Sequence, residues 1–104
     1  MKWYTAGTLT NPTAATVLAT TGLILHRTGT SYTITVSANI GAAFTIEERD
    51  SVPAVIGSQF INWPVTLSPF VQTFKFTYDQ TVELRVVLHA NITGIAQASI
   101  VRNT

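Results

Sequence analysis

Cysteine is absent from this 104-residue sequence, which excludes disulfide bonds and thiolate zinc sites. Charge is also scarce, since 11% of the residues are charged against about 25% in an average soluble domain. Six basic and five acidic residues leave a net charge near zero, so a basic patch for nucleic acid or a membrane surface is not expected. No stretch approaches the roughly 20 apolar residues of a membrane helix. The N-terminal "MKWYTAGTLTNPT" lacks the apolar run of a signal peptide, so export by a signal of its own is not expected.

Threonine is the commonest residue, with eighteen of the 104 positions, and it favours strands over helices. Apolar and polar residues alternate along most of the chain, which is the period of a strand with one buried face. Such segments recur at intervals of roughly 8–12 residues, separated by turn residues. The pattern predicts an all-β fold, an antiparallel β-sandwich of seven to eight strands. A jelly roll is favoured, with an immunoglobulin-like sandwich as the alternative.

The chain is expected to form one domain, with residues 1–12 as an N-terminal arm and residues 13–104 as the sandwich. Gly22 is expected to separate two short strands, "ATVLAT" and "LILHR". Because side chains alternate between the two faces of a strand, the pattern also predicts which residues point into the core. On three strands these are Tyr32, Ile34, Val36 and Ala38, then Phe74, Phe76 and Tyr78, and then Val82, Leu84, Val86 and Leu88.

Few residues suggest catalysis or metal binding. Glu47, Glu48 and Asp50 are three of the five acidic residues and follow one another at a strand end. Glu47 and Glu48 are expected on opposite faces, so they cannot flank one substrate bond. Glu48 and Asp50 share a face and have the oxygen ligands that calcium prefers, although a solvated strand end is the simpler interpretation. His26 and His89 are both expected to point outward. The sequence predicts no catalytic residue, no metal site and no cofactor, and a protein that is not an enzyme.

Large aromatic side chains outside the predicted core are the candidates for a protein interface. Trp3 and Tyr4 precede the first core strand, in a terminal segment that stays disordered unless something holds it. Trp63 follows Phe60 in a connection that contains prolines, where it either caps the open end of the sandwich or contacts a partner. Val87 lies on the outward side of a strand whose other outward residues are polar. The predicted interface residues are therefore Trp3, Tyr4, Phe60, Trp63 and Val87.

The short arm, the threonine-rich jelly-roll pattern and the final "NITGIAQASIVR" strand after a tight turn resemble the small all-β accessory proteins of tailed-phage virions. Proteins of that class decorate capsids. The resemblance implies a structural protein of a bacteriophage virion, assembled in the host cytoplasm, that binds a capsid or another virion protein and stabilises the shell. It also implies a homo-oligomer, with a homotrimer favoured.

Two other classes of protein stay open. The first is a carbohydrate-binding β-sandwich module, in which Trp63 and a tyrosine would form a stacking platform for a glycan. The second is an enzyme subunit of the cupin type, which would need a bound metal.

Overall fold

The computed structural model describes residues 2–38, 42–52, 54–63 and 69–103, and the side chains of Ala42 and Trp63 lie outside the description. Within this part of the chain there are nine strands and no helix. The strands are β1 (Lys2–Tyr4), β2 (Leu9–Thr10), β3 (Val17–His26), β4 (Ser31–Ala38), β5 (Ala42–Arg49), β6 (Val55–Trp63), β7 (Phe70–Lys75), β8 (Gln80–Leu88) and β9 (Ile95–Arg102).

The strands pair as one long hairpin that is rolled into two sheets. β5 pairs with β6, β4 with β7, β3 with β8, and both β1 and β2 with β9, all antiparallel. Two further ladders, β4–β9 and β5–β8, close the roll. Sheet 1 has the order β1-β9-β4-β7, with β2 also on β9, and sheet 2 has the order β3-β8-β5-β6. This nested pairing is that of a jelly roll, so the predicted all-β antiparallel sandwich is confirmed.

The strand count differs from the predicted seven to eight because the N-terminal segment contributes two strands. Residues 1–12 were expected to form an arm, but β1 and β2 lie along β9 at the edge of sheet 1. The backbone N–H of Ala6 also donates to the carbonyl of Leu18 in β3, at 3.1 Å, and this bond joins the edges of the two sheets. The segment is therefore part of the sandwich.

β1 and β2 are the two halves of one interrupted strand. Tyr4 lies opposite Ile100 and Leu9 lies opposite Ala96, so five steps along the first strand match four steps along β9. One extra residue between the halves is a β-bulge, and Gly7 supplies the positive φ, 82°, that bulges of this kind use. Counted in this way, each sheet has the four strands of an eight-stranded jelly roll.

The first long strand, β3, corrects the prediction of two short strands separated by Gly22. The chain continues through that position as one strand, with a shift in register between Thr20 and Leu23. Gly22 has a φ of 67°, in the left-handed region. The bulge reverses the expected alternation after it. Leu23 and Leu25 are therefore half exposed on the outer face, and His26, which was predicted to point outward, is buried with 1% of its surface exposed.

Replacing Gly22 with alanine is expected to lower the free energy of unfolding by about 1–2 kcal/mol, because the left-handed conformation costs that much for a residue with a Cβ atom. An added Cβ would meet no atom within 4 Å, so backbone strain is the only cost. Gly57→Ala is the control, since Gly57 has no positive φ and a Cβ there would only touch Glu48 at 3.5 Å. Urea unfolding of both variants measures the difference, and equal stabilities would contradict the role given to Gly22.

The inward faces of the central strands form the core as predicted. The confirmed core residues are Tyr32, Ile34, Val36, Phe76, Val82, Leu84, Val86 and Leu88. Ala38 and Phe74 are partly buried and pack against this core. Tyr78 was predicted to share the inward face with Phe74 and Phe76, but β7 ends at Lys75 and Tyr78 is 61% exposed. Alternation no longer sets the direction of a side chain once the strand has ended.

Candidate functional site

The outer face of sheet 1 carries short neutral side chains across four strands. Among its described outward residues, Lys75 at one end is the only charged one. We call the rest of this surface the threonine face. Its residues are Trp3, Thr10, Ser31, Thr33, Thr35, Ser37, Val71, Thr73, Ile95, Gln97, Ser99 and Val101.

The threonine face also contains three large apolar side chains that are open to solvent. Trp3 is 64% exposed, Val71 is 58% exposed and Ile95 is 48% exposed. Trp3 lies on the edge strand β1 and Val71 on the opposite edge strand β7. Neutral polar surface with several exposed apolar residues is the composition of a surface that a protein partner can cover at low desolvation cost.

The outer face of sheet 2 has a different composition, because it carries four of the eight charged residues on the described strands. Arg85 Nε donates to Glu47 Oε1 at 2.7 Å, and both side chains are less than one-fifth exposed. Thr20 Oγ1 donates to the carboxylate of Glu83 on the neighbouring strand. Glu83 also lies opposite Arg49 in the β5–β8 ladder. Glu47 and Arg85 therefore satisfy each other within the sheet, and Glu83 has a hydrogen-bond donor there.

The five predicted interface residues do not form one surface. Trp3 belongs to the threonine face, whereas Tyr4 points inward at the same edge and packs against the core. Phe60 and Val87 lie in one row on the outer face of sheet 2, with Thr45 between them. Trp63 is the last residue of β6, and its side chain lies outside the described residues.

His89 was predicted to point outward, and it is exposed next to Phe60. The two rings meet edge to face, with centroids 4.9 Å apart. This contact lies at the end of the row that contains Val87. On one side of this row lie Glu47 and Arg85, and on the other side lie Ala43 and Asn62.

His26 is part of a buried cluster between the two sheets. Its Nε2 lies 3.0 Å from the carbonyl oxygen of Val82, which can only accept, so this nitrogen carries the proton. Nδ1 therefore accepts from the hydroxyl of Tyr32 at 2.8 Å. The ring stacks on Phe76 with centroids 4.3 Å apart and an angle of 7°. Burial lowers the pKa of His26 below its ordinary value. Both nitrogens are used, so His26 stabilises the core and is not available to a ligand.

The three acidic residues at the end of β5 have three different environments. Glu47 and Glu48 lie on opposite faces as predicted, with Glu47 paired to Arg85. Asp50 closes the following loop, because its Oδ1 accepts from the backbone N–H groups of Val52 and Ala54 at 3.0 and 2.7 Å. These bonds hold the pKa of Asp50 below its ordinary value. In the part of the chain that the structure describes, no group of three or more side chains is arranged to hold a metal ion.

Glu48 faces a cleft that the sequence did not predict. The cleft has a volume of about 270 Å³ and lies where the edge strands β6 and β7 approach each other. Its lining residues are Ile46, Glu48, Gly57, Ser58, Gln59 and Phe74. Burial raises the pKa of the Glu48 carboxyl. The alternation that places Phe44 and Ile46 inward also places Glu48 inward. This alternation is the signal in the sequence from which an inward Glu48 could have been predicted.

Two side-chain amides join the edge strands β6 and β7 beside this cleft. Gln59 Nε2 donates to Gln72 Oε1 at 3.1 Å, and Gln72 Nε2 donates to Gln59 Oε1 at 2.8 Å. The pair joins β6 of sheet 2 to β7 of sheet 1. Glu48 is thus held in a cleft with a fixed wall, and it forms neither of the described salt bridges.

No protein-family model matches the chain, and no curated protein matches it. The described residues include no helix that is long and apolar enough to cross a membrane. The class of this protein is therefore defined by its fold, an antiparallel jelly-roll β-sandwich.

Proposed function

We propose that this chain is a non-enzymatic structural protein of a virus particle, which binds a capsid or another large protein shell and stabilises it through protein–protein contacts. It acts as a homo-oligomer, with a trimer favoured. The observation that carries the proposal is the threonine face, which spans sheet 1 and has no charged side chain among its described residues, with Lys75 at its end.

Short hydroxyl side chains suit such a contact for two physical reasons. They lose less conformational entropy than Lys, Arg or Glu when a partner covers them. Their hydroxyl groups both donate and accept, so they adapt to the polar groups of the partner and leave few of them unsatisfied. Trp3 and Val71 add large apolar area at opposite edges of the same face, and tryptophan is enriched where binding energy is concentrated.

The charged row is the part of the outer face of sheet 2 that is suited to solvent, whereas Leu23, Leu25 and Phe60 on the same face are about half exposed. Glu47 and Arg85 form an ion pair, and the Glu83 carboxylate accepts a hydrogen bond from Thr20. Covering these groups with a partner would remove their remaining water without providing a new counter-charge, which costs free energy. We therefore assign the threonine face to the shell and sheet 2 to the outside.

The carbohydrate-binding alternative receives less support. A depression of about 270 Å³ lies at one end of the threonine face, lined by Thr8, Ser37, Ala38, Ile95, Ala96 and Gln97. No aromatic ring is among these described lining residues, and glycan platforms depend on stacking against such rings. Trp63 was the predicted platform residue, and its side chain lies outside the described residues.

Co-sedimentation with capsids of tailed phages tests the proposal. We expect the protein to pellet with a shell at a fixed ratio. Thr35→Arg, which places a charge at the centre of the threonine face, is expected to weaken this binding about tenfold or more, because the arginine is buried without a partner. Thr45→Arg is the matched control, since Thr45 holds the equivalent central position on the outer face of sheet 2. A wild-type protein that stays in the supernatant with every shell, or a Thr35→Arg variant that pellets as well as wild type, would count against the proposal.

A further inference from the structure

We propose that copies of this chain associate edge to edge, with β1 of one copy added to β7 of the next and with Lys2 of the first copy bound in the Glu48 cleft of the second. This inference rests on the proposed homo-oligomeric function and names the contact that would produce it. The partner is a second copy of the same chain. Three features of the two edges of sheet 1 support the contact.

The first feature is the direction of the edge strands. β1 and β7 are the two outer strands of sheet 1. The ladders β1–β9, β9–β4 and β4–β7 are each antiparallel, so three reversals leave β7 antiparallel to β1. A second copy that continues the sheet therefore presents β1 to β7 in antiparallel orientation. Edge strands carry unpaired backbone N–H and C=O groups, and pairing them between copies satisfies these groups.

The second feature is the register across the sheet. One inward-facing row contains Lys2, Arg102, Tyr32 and Phe74, as successive partners across the four strands. If the row continues from one copy to the next, Lys2 of the first copy lies beside Phe74 of the second. Phe74 lines the cleft that contains Glu48. The lysine side chain, with its apolar stem and charged end, fits a cleft whose wall is partly apolar and whose polar group is a carboxylate.

The same register brings together complementary charges of the two edges. The described residues give Glu48 no salt bridge, and desolvation by burial is what raises its pKa. At the other edge, Lys2 lies directly opposite Arg102, and like charges in that position repel each other. The Nε of Arg102 is buried without a hydrogen-bond partner, and the ammonium of Lys2 lies 5.8 Å from the ring centre of Tyr4. A carboxylate from a second copy stabilises this pair of cations, and a cation stabilises the carboxylate.

The third feature is the apolar surface on the other side of the same edges. The outward row next to Lys2 contains Trp3, Val101, Thr33 and Thr73. In the continued sheet, Trp3 of one copy lies opposite Thr73 of the next and diagonal to Val71, within reach of a large aromatic side chain. Trp3 and Val71 are the two most exposed apolar residues of the threonine face, and this contact covers both.

The interface joins two different edges, so it is heterologous. Such an interface gives a closed ring when the rotation between neighbours completes a circle and a filament when it does not. Adjacent strands in a sheet are rotated by about 20–25°, so the contact includes a rotation between copies. A closed trimer needs a rotation of about 120° between neighbouring copies, so it requires the sheet to bend sharply where β1 meets β7, and without that bend the same contact gives a filament.

Exchange of the two charges tests this contact. We measure association by sedimentation velocity for Lys2→Glu, for Glu48→Lys and for the double variant. Each single variant is expected to raise the dissociation constant between copies about tenfold or more, since it places like charges together. The double variant restores opposite charges and is expected to recover most of the association. Arg27→Glu is the control, because it makes the same charge change at a residue that lies on neither edge of sheet 1, although it also replaces the exposed ion pair with Asp79.

Circular dichroism of each variant confirms that the sandwich is folded, and Glu48→Gln provides a variant with nearly the same shape as wild type. Single variants that associate as wild type does would overturn the contact, as would a double variant that fails to recover while all variants are folded. If the contact is overturned but the wild-type protein still forms oligomers and binds shells, the proposed function stands. A wild-type protein that is monomeric at high concentration and binds no shell would instead contradict the proposed function itself.

Discussion

Replacing Leu84 with alanine is expected to lower the free energy of unfolding by about 2–5 kcal/mol, as large-to-small changes in a core do. Leu84 is fully buried in the middle of β8, which pairs with β3 on one side and β5 on the other. The substitution removes apolar contacts and leaves a cavity where the surrounding strands are held by backbone ladders. Those strands can move inward only slightly, so the cavity remains.

Leu25→Ala is the matched control for this measurement. Leu25 lies on the neighbouring strand β3, opposite Thr81 of β8, but its side chain is 48% exposed on the outer face. The same substitution there removes little buried area and is expected to cost under about 1 kcal/mol. Urea unfolding gives both values. A loss under half a kcal/mol for Leu84→Ala, or equal losses for the two variants, would refute the assignment of the inner face.

The stability of the fold is expected to fall as the pH drops below about 6.5, the ordinary pKa of histidine. Burial lowers the pKa of His26, so the unfolded chain binds a proton that the folded chain does not. Stability therefore rises with pH between the lowered pKa and 6.5 and is constant above it. The slope in this window reaches at most about 1.4 kcal/mol per pH unit.

Urea unfolding at several pH values between 5 and 8 measures this slope. His26→Gln is expected to remove it, and the same substitution at the exposed His89 is expected to keep it. The raised pKa of Glu48 acts in the opposite direction at the acidic end, because the folded state there binds the proton more tightly. The difference between wild type and His26→Gln isolates the histidine. Identical slopes for these two proteins would show that His26 is not buried in its neutral form.

The regular strands could be predicted from sequence because their signal is local. In β4 and β8 each inward position is two residues from the next, and no bulge interrupts either strand, so Ile34, Val36, Leu84 and Val86 are identified by alternation alone. β3 has two register shifts, and the one at Gly22 reverses the faces of every residue after it. That reversal is why the direction of His26 was predicted incorrectly.

The N-terminal strands and the Glu48 cleft were not predicted because they depend on pairing between distant parts of the chain. β1 has only three residues, too few to show alternation, and it is a strand because β9 lies beside it. The cleft requires that Phe74 of sheet 1 lie across from Ile46 and Glu48 of sheet 2. The sequence predicted that Glu47 and Glu48 lie on opposite faces, but it did not predict that Glu48 faces inward, and the opposite wall of the cleft belongs to another sheet.

The N-terminal pairing also changes which experiment is informative. Deleting residues 1–10 would test an independent arm, but here it would remove both strands that cover the edge of β9. Loss of association after such a deletion would not distinguish a lost contact from a destabilised fold. Single substitutions at Lys2 and Glu48 leave the strands in place and are the sharper test.

The mass of the protein in solution tests the central claim most directly. We propose that the chain assembles with copies of itself and binds a protein shell. Sedimentation equilibrium of the wild-type protein over a wide range of concentrations is expected to give a multiple of 11.3 kDa, with three copies favoured. A mass of 11.3 kDa at every concentration, in a protein that also binds no shell, would contradict the account.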